Sequence, residues 1–285
     1  MSSTNPNKKK KQKLRWQVKL ILAIAGVIVF ASVLGSLTSL FASGKKEEAT
    51  AQTDQTGEEV VEEVKEALNP VMTEVKKPTV PFDKRVTVLI DPGHGGFDPG
   101  NVVDEQKESA INLAIATACA EQLKSLDPNI NVLMTRNSDT ISWASDEVGD
   151  LTGRVNMQTD LKADYFVSIH SNSNEDPSCT GYSFFIKKDD DTAKEMAQSI
   201  SEAYEQADWA YEQAVLTTDT YPLQVISDSK IPSILIEMGY MSNPGEFAAL
   251  CNPEIQEILG KVTANGIYNF LVEQNEKGAA IQKDS

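Results

Sequence analysis

The sequence predicts an α/β fold, a largely parallel, twisted sheet of about six strands flanked by helices on both faces. Short runs rich in Val, Ile and Leu alternate with longer helical segments through residues 83–275, a pattern typical of parallel strands joined by helical crossovers. Two of these runs also end at the only histidines of the chain, His94 and His170. Ligands of open α/β sheets bind beyond the carboxyl ends of the strands, so both histidines are expected at one functional edge.

The individual elements follow from their apolar periodicity and from turn signals. The segments predicted as strands are residues 86–91, 131–135, 165–170, 182–187, 223–226 and 233–238. The segments predicted as helices are residues 108–126, 155–162, 192–207 and 254–273, the last starting after Asn252-Pro253. A polar tail is expected over residues 276–285.

The N-terminal part predicts a membrane anchor. Residues 1–19 form a basic segment, and residues 20–44 are 25 residues without a charge; a helix of that length reaches about 37 Å, enough to cross a hydrocarbon core of roughly 30 Å. The basic cluster places the N-terminus in the cytoplasm and the body outside. A cleaved signal peptide is the alternative, with small residues at 42–44, but its apolar region is usually shorter. Residues 45–82, rich in Glu, Lys, Thr, Ala and Pro, are expected to be a flexible linker.

Charge and cysteine content narrow the classes of partner. The chain has a net charge of −16, and its first 44 residues carry seven Lys/Arg and no acid, which leaves −23 for the remainder. Such an acidic body excludes nucleic acid as a partner, because phosphate binding needs clustered positive charge. Three cysteines, an odd number without a C-x-x-C motif, imply no disulfide framework.

The histidines are the first candidate site residues. His94 lies in the loop Pro92-Gly-His-Gly-Gly96, which could cradle a phosphate but lacks the Lys and spaced glycines of known phosphate loops. Two imidazoles at one sheet edge instead predict a zinc site, for which His₂Glu is a known ligand set. Glu108, at the start of the first helix, is a candidate third ligand or a partner of the helix dipole. Asp104 and Glu105 could serve equally on spacing alone.

Glu237 is the candidate proton carrier. It ends the apolar run Ser233-Ile-Leu-Ile-Glu237, and a carboxylate in that position is costly unless it is paired or faces a metal or a wet cleft. In a zinc hydrolase it would take a proton from the metal-bound water and pass it to the leaving amine. The alternative is a structural salt bridge to an arginine such as Arg154.

Several blocks in order carry a resemblance to a known family. They are Asp91-Pro-Gly-His-Gly-Gly, Lys107-Glu-Ser-Ala-Ile-Asn-Leu-Ala, Met134-Thr-Arg, Ala163-Asp-Tyr-Phe-Val-Ser-Ile-His-Ser-Asn and Leu235-Ile-Glu-Met-Gly-Tyr-Met-Ser-Asn. Together they resemble the zinc-dependent N-acetylmuramoyl-L-alanine amidases, the type 3 amidases that hydrolyse cell walls. The similarity spans residues 85–273, essentially the whole predicted domain.

The resemblance implies a function and a site. His94, Glu108 and His170 would bind Zn²⁺, a metal-bound water would be the nucleophile, and Glu237 would be the catalytic base and acid. The bond cut would be the amide between N-acetylmuramic acid and L-alanine of peptidoglycan, by a domain facing the cell wall. Asn172 and Arg154 match positions beside the site and are expected to bind substrate.

The chain departs from the family pattern in three places. It has Gln158-Thr159 where relatives commonly show Ala-Asn, and its acidic stretch over residues 139–150 is longer than the family minimum and is expected to be a surface insertion. Residues 173–180 are too few for the autoinhibitory helix that some relatives carry, so none is expected. Two other functions are compatible with the residues: a zinc peptidase acting within the stem peptide, and a non-catalytic wall-binding module.

Overall fold

The computed structural model describes residues 61, 62, 64, 65, 68 and 74–284. Its strands are, in chain order, β1 (Val86–Pro92), β2 (Val102–Val103), β3 (Gln106–Lys107), β4 (Ile130–Met134), β5 (Tyr165–Asn172), β6 (Tyr182–Ile186), β7 (Glu212–Thr217) and β8 (Ser233–Tyr240). Six of them form one sheet in the order β4-β1-β5-β8-β6-β7, and β2 and β3 form a separate small hairpin. All neighbours in the large sheet are parallel except β6 and β8, which are antiparallel.

Helices cover both faces of this sheet. They are α1 (Glu108–Leu126), α2 (Glu147–Asp160), α3 (Asp191–Gln206), α4 (Gln224–Ser227), α5 (Pro244–Leu250) and α6 (Pro253–Asp284). Apolar residues of α1, α3 and α6 pack on one face, and those of α2 and α4 pack on the other. The predicted fold class, a mostly parallel α/β sheet of six strands between helices, is confirmed.

The first strand shows why both faces must be covered. Val88 and Ile90 of β1 belong to the larger core cluster, whereas Leu89 between them belongs to the smaller cluster on the opposite face. Successive side chains of a strand point to opposite faces, so a strand with helices on both sides is apolar throughout. The His94 loop therefore begins directly at the end of a strand that is buried on both faces.

In the large sheet, one predicted strand is wrong and one real strand was missed; the short hairpin β2–β3 was not predicted either. Residues 223–226 were expected to be a strand, but residues 224–227 form α4, with Ile226 and Ser227 both donating backbone bonds to the carbonyl of Leu223. A run of four residues, three of them apolar, is too short for periodicity to distinguish a strand from a helix. The sixth strand is instead β7, whose half-exposed sequence Glu-Gln-Ala-Val-Leu-Thr carries only a weak apolar signal.

Two helices also differ from their predicted bounds. The helix expected over residues 155–162 begins at Glu147, because Asp146 caps it by accepting a bond of 2.9 Å from the backbone N–H of Gly149. The helix expected to end at residue 273 continues to Asp284. Its extension is held by the segment that precedes β1: Thr79 donates to Glu276, and Asn275 donates to the carbonyl of Val80.

The N-terminal predictions lie mostly outside the described residues. The basic segment 1–19 and the span 20–44 fall there entirely, and the linker 45–82 falls there largely. The last part of that linker, residues 74–82, runs alongside α6. Asn269 of this helix forms hydrogen bonds with the backbone of both Glu74 and Lys76. In the part of the chain that the structure describes, no helix is long and apolar enough to span a membrane.

Candidate metal centre and active site

The His94 loop leaves the sheet in a strained but well-supported conformation. His94 has a φ of 60°, a left-handed backbone that costs a residue other than glycine about 1 kcal/mol or more. Two buried arginines hold the loop carbonyls: Arg154 donates to the carbonyls of Pro92 and His94 at 2.9 and 2.7 Å, and Arg136 donates to those of Pro92 and Gly93 at 2.9 and 2.7 Å. The imidazole is therefore presented from a fixed backbone.

Three predicted ligands converge at the carboxyl edge of the sheet. Oε1 of Glu108 lies 3.1 Å from Nε2 of His94 and 3.1 Å from Nδ1 of His170. One ligand atom from each of the three residues lies within 4.8 Å of the others, and the two imidazole rings are 4.8 Å apart at 75°. Two imidazole nitrogens and one carboxylate oxygen at these separations fit a tetrahedral zinc site that keeps one position open.

The structure selects Glu108 over its neighbours. Asp104 and Glu105 form the exposed turn of the β2–β3 hairpin with φ values of 45° and 67°, whereas Glu108 is only 2 % exposed. Its Oε2 accepts from the backbone and side-chain nitrogens of Asn101 at 3.0 and 2.7 Å, and its Oε1 accepts from Asn112 at 3.1 Å. A carboxylate held this way is positioned as a ligand, and its place at the start of α1 also satisfies the helix dipole.

Two glycines leave the space that the ligands occupy. A Cβ atom on Gly93 would lie 2.2 Å from the ring of His170, and one on Gly100 would lie 2.7 Å from both Glu108 and His94. Gly100 also has a φ of 66°, which favours glycine. These positions require glycine because the candidate ligands pack directly against the backbone.

Asp98 supports the site, and sequence reasoning missed it. Its Oδ2 lies 2.6 Å from Nδ1 of His94, and its Oδ1 accepts from the backbone N–H of Gly100 at 3.0 Å. A metal-binding imidazole usually donates its second N–H to a carboxylate in this way, which sets the tautomer and the ring orientation. The sequence signal was an acidic residue four positions after the histidine, inside the same Gly/Pro-rich loop.

The charges of the three groups are strongly coupled. Burial lowers the pKa of His94, but hydrogen bonds and charge interactions with Glu108 and Asp98 outweigh it and raise the pKa to about 9. Burial raises the pKa of Glu108, but the two histidines more than offset this and hold the pKa well below its usual range. The cluster thus holds a proton where a divalent cation would place its positive charge.

Glu237 stands one strand away from this cluster. It is the register partner of His170 across β5 and β8, and of Ser183 across β8 and β6. Its Oε2 atom is buried without a hydrogen-bond partner among the described residues, and burial raises its pKa to about 7. The alternative that Glu237 forms a salt bridge with Arg154 is wrong, since Arg154 pairs with Asp91 and Asp150. An unpaired carboxyl with this pKa can exchange a proton near neutral pH.

Comparison with known proteins agrees with this geometry. The sequence profile of the N-acetylmuramoyl-L-alanine amidase family matches residues 88–269. The chain belongs to this family. The match includes the three residues of the cluster and Glu237. It also includes every strand from β1 to β8, apart from the first two residues of β1.

Individual amidases are similar to this chain in sequence and in structure. The sporulation-specific N-acetylmuramoyl-L-alanine amidase of Bacillus subtilis is 29 % identical over 184 residues, which are 64 % of this chain and 67 % of the relative. The catalytic domain of the amidase CwlV from Bacillus (Paenibacillus) polymyxa var. colistinus superposes with a TM-score of 0.58 and 30 % identity, over 65 % of this chain and 98 % of that domain. The CwlD amidase of Clostridioides difficile, solved in complex with the GerS lipoprotein, gives a TM-score of 0.58 and 31 % identity over 65 % and 98 %. The chain is thus an amidase of peptidoglycan.

Arg154 does not have the role in this amidase that the sequence suggested. It was expected to bind substrate, but it is 2 % exposed, and its Nε, Nη1 and Nη2 atoms donate to Asp150, Asp91 and the two loop carbonyls. No donor is left for a substrate. Asn172 does lie at the site edge, at the end of β5, where its Oδ1 accepts from the backbone of Ser173 at 2.7 Å. Its contact with substrate remains a prediction.

The acidic stretch 139–150 is not a plain surface insertion, as was expected. The backbone N–H of Gly96 donates to the carbonyl of Asp139 at 2.5 Å, and Trp143 donates to Asp150 at 2.8 Å while its ring lies 5.5 Å from the guanidinium of Arg154. The stretch therefore buttresses the His94 loop from outside.

The connection between β5 and β6 contains no helix within the described chain, as the sequence predicted for this amidase. The side chains of His94 and His170 keep 24 % and 18 % exposure.

Gln158, where the chain departs from the family pattern, has a structural role. This buried side chain donates to the carbonyl of Val225 at 3.0 Å and joins α2 to α4.

Proposed function

We propose that this amidase is zinc-dependent and hydrolyses the amide between the lactyl group of N-acetylmuramic acid and L-alanine. His94, Glu108 and His170 would hold the metal, and Glu237 would move the proton. The observation that carries the proposal is the meeting of three ligand atoms within 4.8 Å, one each from the loop after β1, from α1 and from β5. The unpaired Oε2 of Glu237 lies on the next strand.

When bound, Zn²⁺ would act as a Lewis acid on the scissile carbonyl and would lower the pKa of a water molecule towards neutrality. The chain supplies the rest. The Glu237 carboxylate accepts a proton from the attacking water as the new C–O bond forms. It then delivers that proton to the amide nitrogen as the C–N bond breaks, so that the products are a carboxylic acid and the amine of L-alanine.

The position of Glu237 suits both halves of this transfer. A pKa of about 7 lets the group be both acceptor and donor near neutral pH. Its neighbour His170 is fixed by the same sheet register, and neighbouring strands lie about 4.8 Å apart. The carboxyl and the metal ligands therefore need no rearrangement to act on one substrate atom.

We also propose that the enzyme works at the outer face of the cell membrane. The support is the sequence alone: the charge-free run over residues 20–44 follows a basic segment and has the length and orientation signal of a single-pass anchor. Such an anchor would confine hydrolysis to peptidoglycan near the membrane.

The full chain tests the proposal in a digest of purified peptidoglycan. Wild type with zinc should release intact stem peptides from the glycan, and removing zinc with a chelator should stop the release. E237Q should keep its zinc but lose turnover by about a thousandfold or more, whereas E205Q, which changes an exposed glutamate of α3, should match wild type.

The products decide between the competing functions. Stem peptides that begin with L-alanine support the amidase reaction, whereas fragments cut within the peptide would show a zinc peptidase. Binding without any product would show a wall-binding module. Full turnover by E237Q would refute the role given to that residue.

A further inference from the structure

A row of side chains crosses the sheet beyond the metal ligands. His170, Glu237 and Ser183 are register partners on the adjacent strands β5, β8 and β6. Strands lie about 4.8 Å apart, so Ser183 stands roughly 10 Å from His170 on the far side of Glu237. The next strand, β7, contributes Gln213 to the same row.

Gln213 reaches this position through a β-bulge. Tyr182 pairs with Glu212, but Ser183 pairs with Ala214, so Gln213 is the extra residue of β7. A bulge turns one side chain out of the regular alternation, and bulges occur often beside active sites. Here the bulge directs Gln213 over Ser183, at the edge of the sheet where β1, β5 and β8 end.

Two hydroxyl groups set the orientation of the Gln213 amide. Tyr240 donates to Oε1 of Gln213 at 2.7 Å, and Ser183 donates to the same oxygen at 3.3 Å. Both donors are buried, with exposures of 6 % and 3 %, and burial raises the pKa of Tyr240, so its hydroxyl stays protonated. Neither hydroxyl bonds to another acceptor among the described residues, which makes Oε1 the oxygen that satisfies both.

The remaining half of the amide is available to a ligand. The Nε2 atom of Gln213 has no hydrogen-bond partner in the described part of the chain, and the residue is exposed. An exposed glutamine is normally free to rotate, and holding it costs side-chain entropy. Here the hydrogen bonds from two buried hydroxyls offset that entropy cost, while both N–H donors of the amide remain unused. Such an arrangement is typical of a pre-oriented binding group.

We infer that Gln213 is a substrate-binding residue whose Nε2 donates to a carbonyl oxygen of the stem peptide. The inference rests on the proposed amidase reaction and assigns the peptide to the β6–β7 side of Glu237. A neutral donor among acidic neighbours such as Glu212 and Glu237 suits a peptide carbonyl, because a substrate carboxylate would be repelled there.

The inference is tested by binding and by kinetics with zinc-loaded full chain and a soluble muramyl dipeptide, N-acetylmuramoyl-L-alanyl-D-isoglutamine. Binding is measured by calorimetry in an E237Q background, where the probe is not consumed. Q213E keeps an acceptor for both hydroxyls but removes the donor, and Q213M removes the donor without adding charge. Each should weaken binding about tenfold, the value of one hydrogen bond of about 1.4 kcal/mol.

With Glu237 intact, both variants should raise KM about tenfold and leave kcat within about threefold, while the melting temperature and zinc content match wild type. Y240F, which removes the shorter of the two anchoring bonds, should give a smaller loss of about threefold. Q198E makes the same charge change on the exposed face of α3 and should bind like the parent.

The outcomes separate this inference from the proposed function. If the parent binds and cleaves but Q213E and Q213M do so equally well within twofold, Gln213 is structural and the inference is wrong. If the parent neither binds nor cleaves the probe or peptidoglycan, the proposed function fails and the inference falls with it. Should Q213M not fold, Q213E decides alone, because it retains both bonds to the hydroxyls.

Discussion

Nδ1 of His94 and Oδ2 of Asp98 lie 2.6 Å apart within a single turn of the chain. The same turn is closed by backbone bonds between Gly95 and Asp98 in both directions, at 2.7 and 3.2 Å. The short contact turns the other ring nitrogen, Nε2, towards Glu108. The orientation of the His94 ring is thus set by contacts within four residues of the chain.

D98N is expected to weaken zinc binding about 10- to 100-fold, because the imidazole loses the carboxylate that orients it and increases its basicity. Competition with a metal chelator at pH 7.5 measures the change. D104N is the matched control, since Asp104 belongs to the exposed hairpin turn four residues before Glu108 and its φ of 45° suits asparagine. Equal zinc affinity in D98N and wild type would show that the contact does not support the metal.

Zinc affinity should depend on pH with a definite sign. Because the pKa of His94 is raised to about 9 in the metal-free protein, the imidazole carries a proton at pH 7 that zinc must displace. The apparent affinity should rise about tenfold per pH unit between pH 7 and 8.5 and flatten above pH 9. Chelator competition across this range measures the slope. D98N should show a smaller slope, and a flat profile in wild type would contradict the raised pKa.

R154A is expected to destabilise the fold, because it leaves two buried carboxylates, Asp91 and Asp150, without their partner. Breaking a buried ion pair from one side costs about 3–5 kcal/mol, and the His94 carbonyl also loses its donor. Urea denaturation should show this loss, whereas R85A, at an exposed arginine before β1, should stay near wild type. A higher KM with unchanged stability would instead restore the substrate-binding role first expected of Arg154.

Glu246 should make stability fall as the pH rises. Burial raises its pKa to about 7 against backbone bonds from Tyr240 and Gly181. Between the ordinary pKa of 4.5 and about 7, the unfolded chain loses this proton and the folded chain keeps it. The free energy of unfolding therefore falls by about 1.4 kcal/mol per pH unit, or about 3 kcal/mol in all.

E246Q cannot ionise and should lack this dependence, but it keeps only one acceptor oxygen for the two backbone N–H groups of Gly181 and Tyr240. The difference in the free energy of unfolding between the variant and wild type should therefore shift by about 3 kcal/mol in favour of the variant between pH 4.5 and pH 8. Urea denaturation of the metal-free proteins at both pH values measures the difference. A stability difference that stays constant with pH, or shifts in favour of wild type, would show that the two backbone bonds favour the ionised carboxylate after all.

The elements with the clearest apolar patterns could be predicted, because each local pattern is compatible with only one secondary structure. Strands β1, β5 and β8 are mostly apolar runs buried on both faces, and each ends in a glycine-containing or polar turn. The edge strand β7 could not be found in this way, because half of it is exposed and its pairing with β6 supplies the order that its sequence lacks. α4 was predicted wrongly because the four residues 223–226, three of them apolar, fit either state.

By itself the sequence determined the chemistry of this protein: two imidazoles and a carboxyl at the ends of buried strands, in the order and spacing of one amidase family. The family resemblance also singled out Glu108 as the third acid. Only the tertiary structure decided that Arg154 lies under the site and not in it, and that Gln213 faces the row beyond Glu237. The reason is physical. Strand ends and turns depend on residues that are neighbours in sequence. Contacts such as that of Arg154 with Asp91, 63 residues apart, exist only once the sheet has brought distant segments together.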